Sequence, residues 1–178
     1  MNNAHLRKLV LAATFSAIIF LGTFLIKFPI PNGYIHVGDG FIYIAAALLP
    51  LPHAMAAAAL AGLLADLISG FAAYAPFTAL VKLTMALLAA VCTRRSAYVI
   101  ALREHKEPQG SRLPCVIASV LGGIANVVGY FATDCILYGL PAAISTLPMN
   151  LVQSAFGVVV FLIFLPIFAH ALKRFHRP

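Results

Sequence analysis

The 178 residues are 62% hydrophobic and only 10% charged, with a mean hydropathy of +0.98. A water-soluble domain of this size needs far more surface charge, so composition excludes one; apolar runs recurring along the whole length indicate a polytopic membrane protein. The net charge of +7 lies in short flanks between those runs, which argues against a nucleic-acid-binding patch and fits the lysine and arginine excess of cytoplasmic loops.

Taken in order, the first apolar segment runs from Leu6 to about Ile26 behind Arg7-Lys8. No small-x-small cleavage site precedes a soluble domain, so it reads as a retained helix and not a signal peptide. Ala13 and Ala17, four residues apart, form a flat strip that lets another helix approach closely. Lys27 to Val37 is a loop rich in breakers (Pro29, Pro31, Asn32, Gly33) that also carries Tyr34 and His36. The second segment, Gly38 to Leu49, is about 18 Å of helix and must tilt or sit partly within the protein. Pro50 and Pro52 break it. The third runs from His53 to Ser69, with Ala57, Ala61 and Ala65 at a packing spacing, and Gly70 to Ala75 is a tight connection. The fourth runs from Pro76 to Val91, with proline suitably at a helix start. Thr93 to Arg112 is a strongly polar loop. The fifth segment spans Leu113 to Leu137, residues 138–146 connect, and the sixth spans Leu147 to Leu172 before Lys173, Arg174 and Arg177.

No alternation of the β-barrel kind is seen. The expectation is therefore one all-α integral membrane domain, residues 1–178, with six transmembrane helices. The N-terminal flank, the middle loop and the C-terminal tail hold ten of the twelve Lys and Arg residues, which predicts both termini in the cytoplasm. The outer connections are then 27–37, 70–75 and 138–146. Three cysteines far apart lack metal-ligand spacing, so no metal site is expected.

With that orientation the polar residues gather in the outer half of the helices. Asp39 starts segment two, Asp66 lies about one turn from the outer end of segment three, and Lys82 about two turns inside segment four. Thr78 and Lys82 share a face. Asn126, Tyr130 and Asp134 repeat every four residues on segment five, and Asn150, Gln153 and Gly157 share a face on segment six. Ionisable groups at membrane depth usually face a cavity or a partner. Tyr34, His36, Asp39, Thr78, Lys82, Asn126, Tyr130, Asp134, Asn150 and Gln153 are the candidate substrate-binding residues, describing a pocket for a small, flat, hydrogen-bonding molecule. Plainer roles stand beside this one. Asp66 and Lys82, on consecutive antiparallel helices, suit a structural ion pair; Asn126 suits an interhelical hydrogen bond, Asp134 a solvated helix end, and Asn150 a helix N-cap.

These residues also carry a resemblance. Tyr34-Ile35-His36-Val37-Gly38-Asp39, Ala65-Asp66-Leu67-Ile68-Ser69-Gly70, and Tyr74-Ala75-Pro76-Phe77-Thr78 followed by Lys82, together with Gly129-Tyr130-Phe131 and Asn150-Leu151-Val152-Gln153, make the chain similar over nearly its whole length to the S components, the substrate-binding membrane subunits, of energy-coupling factor (ECF) vitamin importers. The likeness is greatest to the riboflavin-type or hydroxymethylpyrimidine-type branch. The resemblance implies a six-helix fold in a prokaryotic cell membrane with an outward-facing site under the first loop, lined by helices four to six. It implies that Ala13 and Ala17 dock a transmembrane coupling protein driven by two cytoplasmic ATPases. The chain has no phosphate-binding loop, so it binds no cofactor itself and ATP falls to those partners. Some relatives stack their ligand on Trp; this chain has none, leaving Tyr and Phe to do so. The expected substrate is a water-soluble vitamin or precursor of the hydroxymethylpyrimidine, pyridoxine, thiamine or riboflavin type, a single-ring compound being favoured by the modest number of large aromatics. The rival transport reading is a small proton-coupled carrier using Asp66 or Asp134. A membrane enzyme is disfavoured because the histidines are dispersed and no carboxylates cluster.

Overall fold

A computed structural model describes residues 3–30, 33–104 and 106–175. Pro31, Asn32 and Arg177, placed above in the first loop and the tail, lie outside them. Among the described residues there are seven helices and one hairpin: α1 (Asn3–Phe24), β1 (Lys27–Ile30), β2 (Gly33–His36), α2 (Gly38–Leu48), α3 (Leu51–Ser69), α4 (Ala75–Thr93), α5 (Ala97–Arg103), α6 (Leu113–Tyr138) and α7 (Leu140–Phe175). Five of them, α1, α3, α4, α6 and α7, are long and apolar enough to cross a membrane. Their outward faces carry large apolar side chains such as Leu80, Val128, Ile136 and Ile163, as a lipid-facing surface requires.

The short helix α2 is the pivot of the bundle. Its 11 residues make only about 16 Å of helix. It packs against α1, α4 and α7 and is buried from Gly38 through Ala47 apart from part of Phe41, so protein meets it on most sides. Close approach is bought with glycine at two crossings. A Cβ on Gly40 would lie 2.4 Å from Val160 Cγ1 of α7, and one on Gly122 of α6 would lie 2.4 Å from Tyr43 Cε1. On α3, the expected alanine spacing is a packing face: Ala57, Ala61 and Ala65 are all buried. Below the polar end, Ile42, Tyr43, Met85, Ala89, Phe161 and Leu165 belong to one apolar core.

Three expectations are corrected. The loop at 27–37 is an antiparallel hairpin in which Lys27 pairs with His36 and Ile30 with Gly33. Pro29 does not prevent this, because a two-stranded ribbon leaves a free edge for a residue without an N–H. The connection at 138–146 is nearly all helix: only Gly139, at φ +86°, separates α6 from α7. Pro141 falls in the first turn of α7, where no N–H is needed, and Pro148 is carried inside the helix. The polar loop at 93–112 contains α5, whose Tyr98, Val99 and Leu102 enter the core. Its arginine has a structural task as well: Arg103 Nε donates to the Ala47 carbonyl at 2.5 Å, and Arg94 Nη2 to the Leu49 carbonyl at 3.4 Å. Two cations therefore complete the C-terminus of α2, where carbonyls lack intrahelical partners and the helix dipole favours positive charge.

Candidate functional site

The hairpin, the α3–α4 turn and the α6–α7 junction all lie at one end of the bundle, and a cavity sits among them. The space between them, open solvent at its mouth included, is about 500 Å3. Helix α1 contributes Thr23, and the hairpin Ile30, Tyr34 and His36. Asp66 comes from the last turn of α3, Phe71 and Tyr74 from the α3–α4 turn, and Thr78 from the first turn of α4. Helix α6 presents Tyr130 and Asp134, and α7 presents Thr146, Asn150 and Gln153. Of the residues singled out from sequence, Tyr34, His36, Thr78, Tyr130, Asp134, Asn150 and Gln153 thus line one space.

Asp39, Lys82 and Asn126 do not line it. They are fully or almost fully buried beneath it as a network. Lys82 Nζ donates to Asp39 Oδ1 at 2.6 Å and to Asn126 Oδ1 at 3.0 Å. Gln153 Nε2 donates to Asp39 Oδ2 at 2.9 Å, while Gln153 Oε1 accepts the backbone N–H of His36 at 3.2 Å. Asn126 Nδ2 donates to Ser154 Oγ at 3.3 Å, tying α6 to α7. One connected set of hydrogen bonds therefore joins hairpin, α2, α4, α6 and α7. Buried charges need such pairing, since an ion in a low-dielectric interior costs several kcal/mol of solvation (about 5 or more) when alone.

This corrects the expected ion pair. Lys82 pairs with Asp39, 43 residues earlier, and not with Asp66 on the neighbouring helix. The physical reason is the position of α2: it places Asp39 directly at the ammonium, deep in the bundle, whereas Asp66 points toward the cavity one layer higher. Asp66 Oδ1 accepts instead from the Tyr34 hydroxyl at 2.7 Å. Asp134 is likewise not a solvated helix end, being only 3% exposed. It accepts from the Tyr74 hydroxyl and, at 2.5 Å, from Thr146 Oγ1. Asn150 lies well inside α7 and is not an N-cap.

The hairpin end is electrostatically defined. Burial, and then the Asp66 carboxylate, push the Tyr34 phenol up, so it stays a neutral donor. Burial pushes the His36 imidazole down to about 4, opposed by Asp39 and aided by Lys82. His36 is therefore neutral at pH 7. Its Nδ1 accepts the Gly38 N–H at 3.1 Å, which puts the ring proton on Nε2. A histidine whose folded pKa is depressed binds fewer protons than the unfolded chain between about pH 4 and 6.5, so its contribution to stability is complete above 6.5 and falls as the pH drops through that window. We expect about 2 kcal/mol of destabilisation between pH 7 and pH 5 from this residue. Melting temperatures at the two pH values check it: His36→Asn, whose amide oxygen can still accept the Gly38 N–H, should lose most of the pH dependence. An unchanged slope would refute the assignment.

Sequence reasoning missed Thr23, Ile30, Phe71, Tyr74 and Thr146 as lining residues. Tyr74 had a usable signal, a phenol beside a helix-starting proline on the same side as Asp134. Thr146 had none, because it was read as part of a connection.

A bundle of apolar helices with a polar cavity at one end and an apolar core beneath defines a membrane protein built to hold a small polar molecule. Residues 3–173 match the ECF-type riboflavin transporter S component family, and the chain belongs to that family. Its relatives include a Lactococcus lactis subsp. cremoris protein described as thiamine precursor transporter HmpT, 28% identical over 163 residues that cover 90% of this chain and 86% of the relative. A second, described as an uncharacterized protein in gap 3'region of Pyrococcus woesei, is 29% identical over 141 residues, covering 78% of this chain and 85% of the relative. The chain is thus the substrate-binding membrane component of an ECF-type vitamin transporter, working within an ECF complex, and not an enzyme.

Proposed function

We propose that this S component captures a small single-ring vitamin precursor of the hydroxymethylpyrimidine type, in the cavity under the hairpin, from the outer face of a prokaryotic cell membrane. The convergence of Tyr34, His36, Thr78, Tyr130, Asp134, Asn150 and Gln153 on one space carries the reading. The name of the Lactococcus relative supports the precursor class. Tyr34, Phe71 and Tyr130 offer ring faces where Trp is absent, and Tyr34 and Phe71 already stand 5.4 Å apart. Asp39, Lys82 and Asn126 act one layer down, fixing Gln153 and the hairpin in place.

The proposed arrangement in the bilayer is a single domain of six membrane segments, α2 being the short one, with both termini cytoplasmic. The clustering of Arg94, Arg95, Arg103 and Lys106 at the end opposite the cavity supports it. Ala13 and Ala17 are exposed on α1, as a docking strip for a transmembrane coupling protein requires. ATP would be consumed by two partner ATPases, with no cofactor held by this chain.

The test is a thermal-shift titration of the detergent-purified chain against B vitamins and their precursors. A ligand specific for the native state raises the melting temperature with dose, by about 2.7 kcal/mol of stability at a hundred times its Kd. A hydroxymethylpyrimidine-type compound should do so, and Asn150→Ala should abolish the shift without lowering the unliganded melting temperature much. A dose-dependent shift that survives in Asn150→Ala would place the ligand elsewhere.

A further inference from the structure

Among the described residues, the cavity wall holds two carboxylates, Asp66 and Asp134, and no ammonium or guanidinium group. The nearest cations are already engaged. Lys82 is held by Asp39 beneath the floor, and Lys27 donates to Ser69 Oγ at 2.8 Å and lies 5.0 Å from the centre of the Tyr34 ring. By formal charge, three carboxylates (Asp39, Asp66, Asp134) stand against two ammonium groups, and His36, neutral at pH 7, adds no positive charge.

The two lining carboxylates differ in what they have left to give. Both oxygens of Asp134 are occupied by hydroxyl donors. Asp66 is 6% exposed; its Oδ1 takes the Tyr34 hydroxyl, and its Oδ2 has no hydrogen-bond partner among the described residues. The Thr78 hydroxyl stands beside the Asp66 carboxylate, and its Oγ1 accepts from Tyr130 at 3.2 Å. A buried carboxylate oxygen without a donor forfeits the solvation it had in water, which a ligand N–H would restore on binding. Asn150 also makes no hydrogen bond to the described residues through its carboxamide, and His36, whose ring proton is on Nε2, lines the same space. The unsatisfied set is therefore a carboxylate acceptor, an amide and an imidazole N–H donor, surrounded by Tyr34, Phe71 and Tyr130 rings that favour a cationic or electron-poor ring.

We propose that Asp66 is the specificity-determining residue of this cavity: its free Oδ2 accepts a hydrogen bond from an amino group on a heteroaromatic ring, so the protein selects amine-bearing neutral or cationic heterocycles and rejects phosphorylated or carboxylated ones. This rests on the cavity being the substrate site. Rejection follows from the same carboxylates, since an anion brought beside them would meet like charge where solvent screening is weak. Beyond holding the Tyr34 hydroxyl through Oδ1, the Asp66 side chain has no structural partner among the described residues. It is not the partner of Lys82, and its backbone carbonyl alone serves the end of α3, accepting the Phe71 N–H at 2.8 Å.

The experiment is isothermal titration of the purified full-length chain with two probes, an aminopyrimidine bearing a hydroxymethyl group and its analogue with hydrogen in place of the amino group. Wild type should bind the amino compound at least about tenfold more tightly. Asp66→Asn keeps an acceptor for Tyr34 and should erase that preference, weakening the amino compound by about tenfold while changing the analogue less than about threefold. A preference that persists in Asp66→Asn overturns the proposal. So does equal binding of the two probes by wild type, no binding of either, or tighter binding of a phosphorylated or amine-free vitamin. Tyr130→Ala and Asn150→Ala separate the two levels of the argument. If whichever vitamin binds is weakened by both, the cavity stands as the site and the role of Asp66 alone has failed; if neither matters, the cavity itself is misplaced.

Discussion

Lys82→Met should destabilise the protein by about 3–5 kcal/mol, read as a large drop in melting temperature in detergent. The substitution removes the ammonium but leaves Asp39, which is completely buried, with an uncompensated charge. Gln153 still donates to Asp39 Oδ2, but one neutral amide does not replace an ion pair at 2.6 Å. The loss should be mostly a penalty of imbalance, so the double variant Lys82→Met, Asp39→Asn should be more stable than Lys82→Met alone. Asn at position 39 would keep an oxygen for Gln153 and carry no charge. If the double variant is as unstable as the sum of its parts, the two residues are not coupled in the way their contact implies. Ligand affinity should fall in Lys82→Met as well, since Gln153, shared between Asp39 and the His36 N–H, would lose its fixed position.

Gly40→Ala should be a strongly damaging single-methyl change. The added Cβ would lie 2.5 Å from Val160 Cβ and 3.0 Å from the Gly157 carbonyl oxygen, and neither is the far end of a flexible side chain. Helices α2 and α7 would have to part by something on the order of 1 Å, with an overpacking cost of about 1–3 kcal/mol. The same crossing carries function. Asp39 is the residue before Gly40, its Cβ would stand 3.1 Å from a Cβ on Gly157, and its carboxylate holds Gln153 of α7. The expected result is therefore a joint loss of melting temperature and of ligand affinity, measured by the titration described above. Wild-type behaviour in both would mean that the helices do not pack that closely.

The sequence alone determined the membrane class and most of the helix boundaries. Lipid offers no hydrogen bonds, so spans must be long, apolar and helical, and that demand is written directly into composition. Proline and glycine marked the breaks at Pro50 and Gly70 because their backbone constraints act locally. The polar end was legible too: Asp66, Tyr130, Asp134, Asn150 and Gln153 stood out because a polar residue among apolar ones must have a reason to be there. Local rules misled where tertiary packing outweighed them. Pro148 reads as a breaker, yet helix continues through it; the breaker-rich stretch at 27–36 pairs as a hairpin.

Partner choice was decided by the tertiary structure alone. Helical spacing says which residues share a face, but not which helix that face meets. Asp66, on the neighbouring antiparallel helix, was the mate the sequence suggested for Lys82, and only the insertion of α2 among α1, α4 and α7 put Asp39 at the ammonium and left Asp66 beside the cavity. The same insertion separated wall from floor, so that Asn126 and Lys82 hold the site together while Tyr130 and Asn150 face it. Burial of a side chain depends on contacts between segments far apart in the chain, and no pattern within one segment encodes them.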